Sequence, residues 1–112
     1  MVGCIFCDIA DGRTHAEKVY ESTEFLVIKD INPVSPVHLL VLPKVHVESV
    51  VHLDERFPAA KLFQVIREVA KRTGLDERGF RVVINTGEDA VQSIHHLHVH
   101  LLGGRKLDWP PG

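Results

Sequence analysis

Hydrophobic positions change period several times along this chain. Val19 to Glu21 and Phe25 to Lys29 are β-rich runs separated by Ser22 and Thr23, which predicts a hairpin. Leu39 to Leu42 is apolar without a break and Pro43 ends it, as expected of a central strand buried on both sides. Asn32-Pro33 and Ser35-Pro36 predict a loop between these segments. From Asp54 to Thr73 the period lengthens. Leu62, Ile66, Val69 and Ala70 fall on one helical face, and Lys61, Arg67, Glu68, Lys71 and Arg72 fill much of the remainder. Pro58 is tolerated only in a first turn, so the helix is expected to begin near Phe57, with Gly74 as a left-handed C-terminal cap. Arg81 to Asn85 reads as a further strand. Gly87 to Ser93 is a polar connection, and His96 to Leu102 is a final strand before Gly103-Gly104. Cys4 to Ala10, carrying Ile5, Phe6 and Ile9, reads as a short apolar turn or helix. The expected fold is α+β: an antiparallel sheet of about five strands with one long and one short helix. No repeat, low-complexity tract or linker divides the chain, so residues 1–112 are read as a single domain, with 103–112 as a C-terminal tail.

Composition narrows the function more than the fold. A chain of 112 residues can build one core, but a marginal one that a metal or a dimer interface would help. The net charge of −2 argues against binding a nucleic acid polymer, which needs a basic face, while a single nucleotide needs only a few local donors. No apolar run approaches the ~18 residues of a membrane span, and the first residues lack a basic stretch followed by an apolar core. No membrane partner is expected, and a cytoplasmic location follows as the default. Cys4 and Cys7 are too few for a secreted disulfide framework; their spacing suits a metal half-site or a redox pair.

Histidine carries the chemical signal. Four of the eight histidines lie within six positions, from His95 to His100. On a strand, His96, His98 and His100 share one face while Leu97, Val99 and Leu101 point into the core. Successive imidazoles are then about 7 Å apart at the backbone. Neutral imidazole is a good nitrogen nucleophile; protonated, it stabilises phosphate oxygens or donates to a leaving group. The same spacing also suits a structural metal site, or a solvated polar face.

The run His96-Leu97-His98-Val99-His100-Leu101-Leu102 resembles the signature of the histidine triad (HIT) family. Asp30-Ile31, the stretch His38 to His46, Asn85, Gln92-Ser93 and the tail Trp109-Pro110-Pro111-Gly112 extend the resemblance over nearly the whole chain, to the nucleotide-binding (Hint) branch. The resemblance implies a hydrolase or nucleotidyl transferase that cleaves purine nucleoside phosphoramidates, AMP-linked amines and aminoacyl adenylates among them, through a nucleotidyl-histidine intermediate. It implies His98 as nucleophile, His100 as the group holding or polarising the phosphate, His38 as a residue hydrogen-bonded to the triad and Ser93 near the leaving group. Asp30 would accept from the ribose hydroxyls, and Asn85 and Gln92 would lie near the phosphate or ribose. Phe6, Ile9, Ile28 and Ile31 would line a slot for the base. Trp109 would reach the partner's site in an edge-joined homodimer. Two readings compete: a dinucleoside polyphosphate hydrolase of another branch, and a nucleotide- or partner-binding module without chemistry.

The resemblance also implies a structural zinc held by Cys4, Cys7, His46 and His96, a closed Cys2His2 set that removes His96 from the chemistry. A thioredoxin-like redox pair is the rival, although no βαβ setting is visible. Two positions depart from the family pattern. Val91 stands where glycine is usual. A β-branched residue disfavours positive φ, so the phosphate-facing loop is expected to change shape. His95 stands where an aromatic is common and is expected on the face opposite the triad.

Overall fold

The computed structural model describes residues 3–112. Five strands form one antiparallel sheet: β1 (Lys18–Glu21), β2 (Phe25–Lys29), β3 (Val37–Pro43), β4 (Arg81–Val83) and β5 (Val99–Gly103), in the order β1-β2-β3-β5-β4. Three α-helices accompany them: α1 (Ile5–Ala10), α2 (Ala59–Thr73) and α3 (Leu75–Arg78), with a single 3-10 turn at Val50–His52. The expected pair of helices is present, joined by these two short additions.

The sheet is packed on both faces, which explains the unbroken apolar runs of β2 and β3. Phe25 and Val27 of β2, Leu39 and Val41 of β3, and Val99 and Leu101 of β5 face one way. They meet Leu62, Val65, Ile66, Val69 and Ala70 of α2. The alternate residues Leu26, Ile28, Leu40 and Leu42 face the other way and meet Cys4, Phe6, Cys7 and Ile9 of the α1 segment. A period of two along the strands therefore sorts side chains between the two layers. His100, opposite Leu40 in the β3–β5 register, falls on the α1 face.

Three boundaries differ from expectation. Helix α2 begins at Ala59 rather than near Phe57. Pro58 sits just outside it with non-helical ψ 68, its carbonyl accepting the first helical N–H from Leu62 at 3.1 Å. Strand β5 begins at Val99 rather than at His96, because the residues before it pair with the loop after β3: Leu97 N–H donates to the Val47 carbonyl. Strand β4 correspondingly ends at Val83, opposite His100, and Ile84 and Asn85 leave the sheet. Gly74 is the left-handed cap of α2, at φ 78.

The loop from Gly87 to Ser93 keeps a shape that its sequence resists. Val91 has φ 54, the left-handed conformation that glycine would adopt without strain. The expectation that a β-branched residue would reshape this backbone is therefore wrong. The loop holds its path because Gln92 staples it: its Oε1 accepts from Gly87 N–H at 2.9 Å, and its Nε2 donates to the Glu48 carbonyl at 2.8 Å. A left-handed non-glycine residue costs about 1–2 kcal/mol, partly offset in a glycine variant by about 0.5–1 kcal/mol of extra unfolded-state entropy. Val91→Gly is therefore expected to stabilise the protein by up to about 1 kcal/mol, read as a rise in urea midpoint. A fall would show that Val91 is not strained.

Candidate functional site

Two groups of histidines stand side by side on the α1 face, and each is built from backbone geometry. His38 on β3 lies opposite Leu102, two positions from the Leu40–His100 pair, which makes His38 and His100 diagonal neighbours. Their rings meet, with His38 Nε2 2.9 Å from His100 Nδ1. His98, just before β5, has its ring centroid 5.1 Å from that of His100.

The partners of these rings fix where each proton sits. Val34 N–H donates to His38 Nδ1 at 3.1 Å, so the His38 proton is on Nε2. That N–H points at His100 Nδ1, with Asp30 Oδ2 also 3.2 Å away. His100 Nδ1 is thereby an acceptor, which leaves its proton on Nε2. His100 Nε2 is buried and has no hydrogen-bond partner among the described residues. His98 is arranged the opposite way. Its Nδ1–H donates to the His96 carbonyl at 2.8 Å, leaving the lone pair on Nε2. The site thus presents one nitrogen lone pair beside one unpaired N–H donor, the complement of an electrophilic centre carrying a partial negative oxygen.

Burial keeps His38 and His100 neutral. His38 lies below the ordinary imidazole range because burial disfavours its charge, with Asp30 opposing. Burial, joined by the neighbouring His98 and His38 rings, lowers His100 to about 4. At neutral pH His100 is therefore a donor through one nitrogen and an acceptor through the other.

The second group gathers Cys4, Cys7, His46 and His96, whose ligand atoms all lie within 4.8 Å of one another. Cys4 is the N-cap of α1 and Cys7 lies one turn on. His46 follows β3, and His96 precedes β5. His96 Nε2 donates to the Pro43 carbonyl at 2.8 Å, so its Nδ1 lone pair faces Cys4 Sγ at 3.2 Å and Cys7 Sγ at 3.5 Å. His46 Nδ1 is 3.4 Å from Cys7 Sγ. A tetrahedral ion with ordinary thiolate and imidazole bond lengths has sulfur–nitrogen edges of about 3.5 Å, so the donor set fits a closed four-coordinate metal. Burial pushes the Cys7 thiol up, with Cys4 adding to the effect, and pushes His96 down. Neutral imidazole is the form that ligates, and a cation would displace the thiol protons.

The remaining expected residues lie around these two groups. Phe6, Ile9 and Ile28 are buried in the α1-side core, and the Phe6 ring lies edge-on to His98. Asp30 accepts from Asn32 N–H at 2.8 Å as well as facing His38, so it is joined to the histidine relay, which the sequence reading did not anticipate. Ile31 is 90% exposed. Asn85 is half-buried and Ser93 exposed, on either side of the stapled loop. Gln92 engages its side chain in closing that loop and not in an open contact position. His95 is exposed. Trp109 is 80% exposed, with the Arg81 guanidinium 5.8 Å from its ring. A cavity of about 830 Å³ opens elsewhere, between His46, Leu53 and Phe57, and its lining includes neither His98 nor His100. What sequence reasoning missed is Val34, whose backbone N–H sets the relay. A backbone donor carries no residue signature.

A HIT domain model matches residues 11–107. The chain belongs to the HIT family. Among HIT relatives, a 14 kDa zinc-binding protein of Brassica juncea is 43% identical over 112 residues, covering 96% of this chain and 98% of that one. Adenylylsulfatase HINT1 of Arabidopsis thaliana is 41% identical over 112 residues, covering 96% and 76%. The crystal structure of a HIT family hydrolase from Legionella pneumophila superposes with a TM-score of 0.94 at 38% identity, covering 98% of this chain and all of that one, 100%. The open five-stranded antiparallel sheet is the one found in HIT structures.

The pH dependence of folding follows from His100. Its folded value near 4 lies below the ordinary ~6.5 of an unfolded imidazole. Between those values the unfolded chain binds the proton first, so the contribution of His100 to stability rises with pH from about 4 to about 6.5 and is flat above. His100→Asn removes this contribution. Its loss of urea midpoint between about pH 7.5 and about pH 5 is expected to be smaller than that of the wild type, and an equal loss would contradict the assignment.

Proposed function

We propose that this protein is a HIT family hydrolase that cleaves purine nucleoside phosphoramidates through a nucleotidyl-His98 intermediate. The observation that carries the reading is the pairing of the His98 Nε2 lone pair with the unpaired, buried N–H of His100. The relatives named as hydrolase and adenylylsulfatase support phosphorus–heteroatom cleavage as the reaction class.

In the proposed reaction His98 Nε2 attacks the α-phosphorus in line, and the bond from phosphorus to the amine nitrogen breaks. The His100 Nε2–H holds a non-bridging oxygen, where negative charge gathers in the transition state. Ser93 Oγ passes its proton to the departing amine and takes one back from the water that attacks in the second step. Because His98 keeps its Nδ1 proton on the His96 carbonyl, the nucleotidyl imidazole is cationic and a good leaving group. Water then attacks phosphorus, His98 departs with its lone pair, and the nucleoside monophosphate is released. Asp30 and Asn85 would take the ribose and phosphate, and Phe6 with Ile31 one border of the base. Cys4, Cys7, His46 and His96 would hold zinc as a structural ion. Exposed Trp109 and the β4 edge would face a second copy of the chain in a homodimer.

Two outcomes are expected. Rapid mixing with an adenosine phosphoramidate should leave one added AMP on the peptide spanning His98, seen by mass spectrometry, and His98→Ala should lose both adduct and turnover while remaining folded. Near-normal turnover in that variant would remove His98 from the mechanism. The purified chain should carry one equivalent of zinc by elemental analysis, and chelation should lower its thermal midpoint. An unchanged midpoint would mean that the cluster holds no structural ion.

A further inference from the structure

The two groups of the site are joined at the nucleophile by two separate contacts. The first is the backbone of His96. Its ring is committed on both nitrogens, Nδ1 toward Cys4 and Cys7 and Nε2–H to Pro43, while its carbonyl accepts the His98 Nδ1 proton at 2.8 Å. The second is Phe6, which lies between the two cysteines in α1. Its ring meets His98 edge-on at 5.0 Å and His96 at 5.7 Å. One contact selects the tautomer of His98 and the other restricts rotation of its ring, a torsion that is otherwise broad.

Resting on the reading of His98 as nucleophile, we propose that Cys4, Cys7, His46 and His96, closed on a metal ion, form the positioning device of that nucleophile. Phe6 and the His96 carbonyl transmit the cluster's geometry to the His98 ring. Metal occupancy then sets the rate of the chemical step as well as stability. The argument turns on α1, whose six residues are far too short to persist alone. Its place on the sheet depends on the cluster and on the apolar contacts of Phe6 and Ile9. With the ligands released, the thiol–imidazole contacts at 3.2–3.5 Å are weak, and α1 loses its tie to His96, whose peptide is left to the Pro43 and Leu97–Val47 hydrogen bonds. A neutral histidine freed of such a partner favours the proton on Nε2, which is the nitrogen that must attack. Metal loss therefore converts His98 to the unreactive tautomer. Phe6, read from sequence only as a wall for the base, and His96 are positioning residues in this account.

The test uses the full chain labelled with nitrogen-15 in histidine, at about pH 7.5 where a free imidazole is neutral. Long-range proton–nitrogen spectra, with His98 assigned by its loss in His98→Gln, report which nitrogen carries the proton. The zinc-loaded chain should show His98 protonated on Nδ1. After chelation the folded chain should shift toward Nε2–H, and its kcat on an adenosine phosphoramidate should fall about tenfold or more with little change in KM, both restored by zinc. A folded metal-free chain that keeps the Nδ1–H form, or keeps its kcat, would overturn the proposal. If circular dichroism shows that chelation unfolds the chain, Phe6→Leu decides. That variant keeps all four ligands and should bind one zinc, yet show the same change in the His98 spectrum and in kcat. An unchanged spectrum there would overturn the proposal. Absence of phosphoramidate turnover in the zinc-loaded wild type would instead defeat the functional reading, and the tautomer spectra would still decide the positioning claim.

Discussion

A neutral imidazole carries one proton on two nitrogens, and the site depends on which nitrogen holds it. Nothing in the side chains alone settles this. The backbone does, at two points. Val34 N–H occupies His38 Nδ1, which sends the His38 proton toward His100 and leaves the His100 proton on the far side. The His96 carbonyl takes the proton of His98 and frees its other nitrogen. Two chemically identical rings, two residues apart, are thereby given opposite roles: one offers a lone pair, the other an N–H. Burial completes the assignment of His100, because a ring kept neutral cannot become a donor on both nitrogens.

Packing makes those two backbone contacts dependable. The three inner strands are covered on one face by α2 and on the other by the α1 segment, so β3 and β5 have little freedom to slide. A slip of one residue in their register would exchange the layers and send His38 and His100 into the α2 core. The long helix is therefore remote from the chemistry yet necessary for it: Leu62, Val65, Ile66 and Val69 hold the odd-numbered face of the strands, and the even-numbered face is thereby fixed beneath α1.

Much of this was legible in the residues. The unbroken Leu39–Leu42 run marked a strand buried on both sides, the i, i+4, i+7 positions of α2 marked its buried face, and alternate histidines marked a shared site. The Cys4/Cys7 pair and His46 could be joined to His96 only through the family resemblance, since no local pattern links positions so far apart. The ends of elements were less legible. Strand β5 starts at Val99 because the segment before it pairs with the loop after β3, a long-range hydrogen bond without local signal. Val91 misled because intrinsic preference is a weak constraint on a loop closed by the Gln92 staple. Ile9 and Ile28 look alike as core and as pocket lining from sequence, and the structure buries both.

The size of the chain explains why the Cys4, Cys7, His46 and His96 cluster adjoins the His38, His98 and His100 group. Helix α2 supplies one layer with four turns of apolar surface, but the opposite layer has only the six residues of α1. A layer so thin cannot be held by propensity, and its apolar contribution is confined to Phe6, Ile9 and the two cysteines. The proposed metal would cross-link that layer to the loops on either side through four ligands and so close the second face of a small domain. Those loops are also the ones that deliver His98 to the site. The proposed anchor therefore ends one hydrogen bond away from the His98 ring, so stability and the proposed chemistry share the His96 peptide.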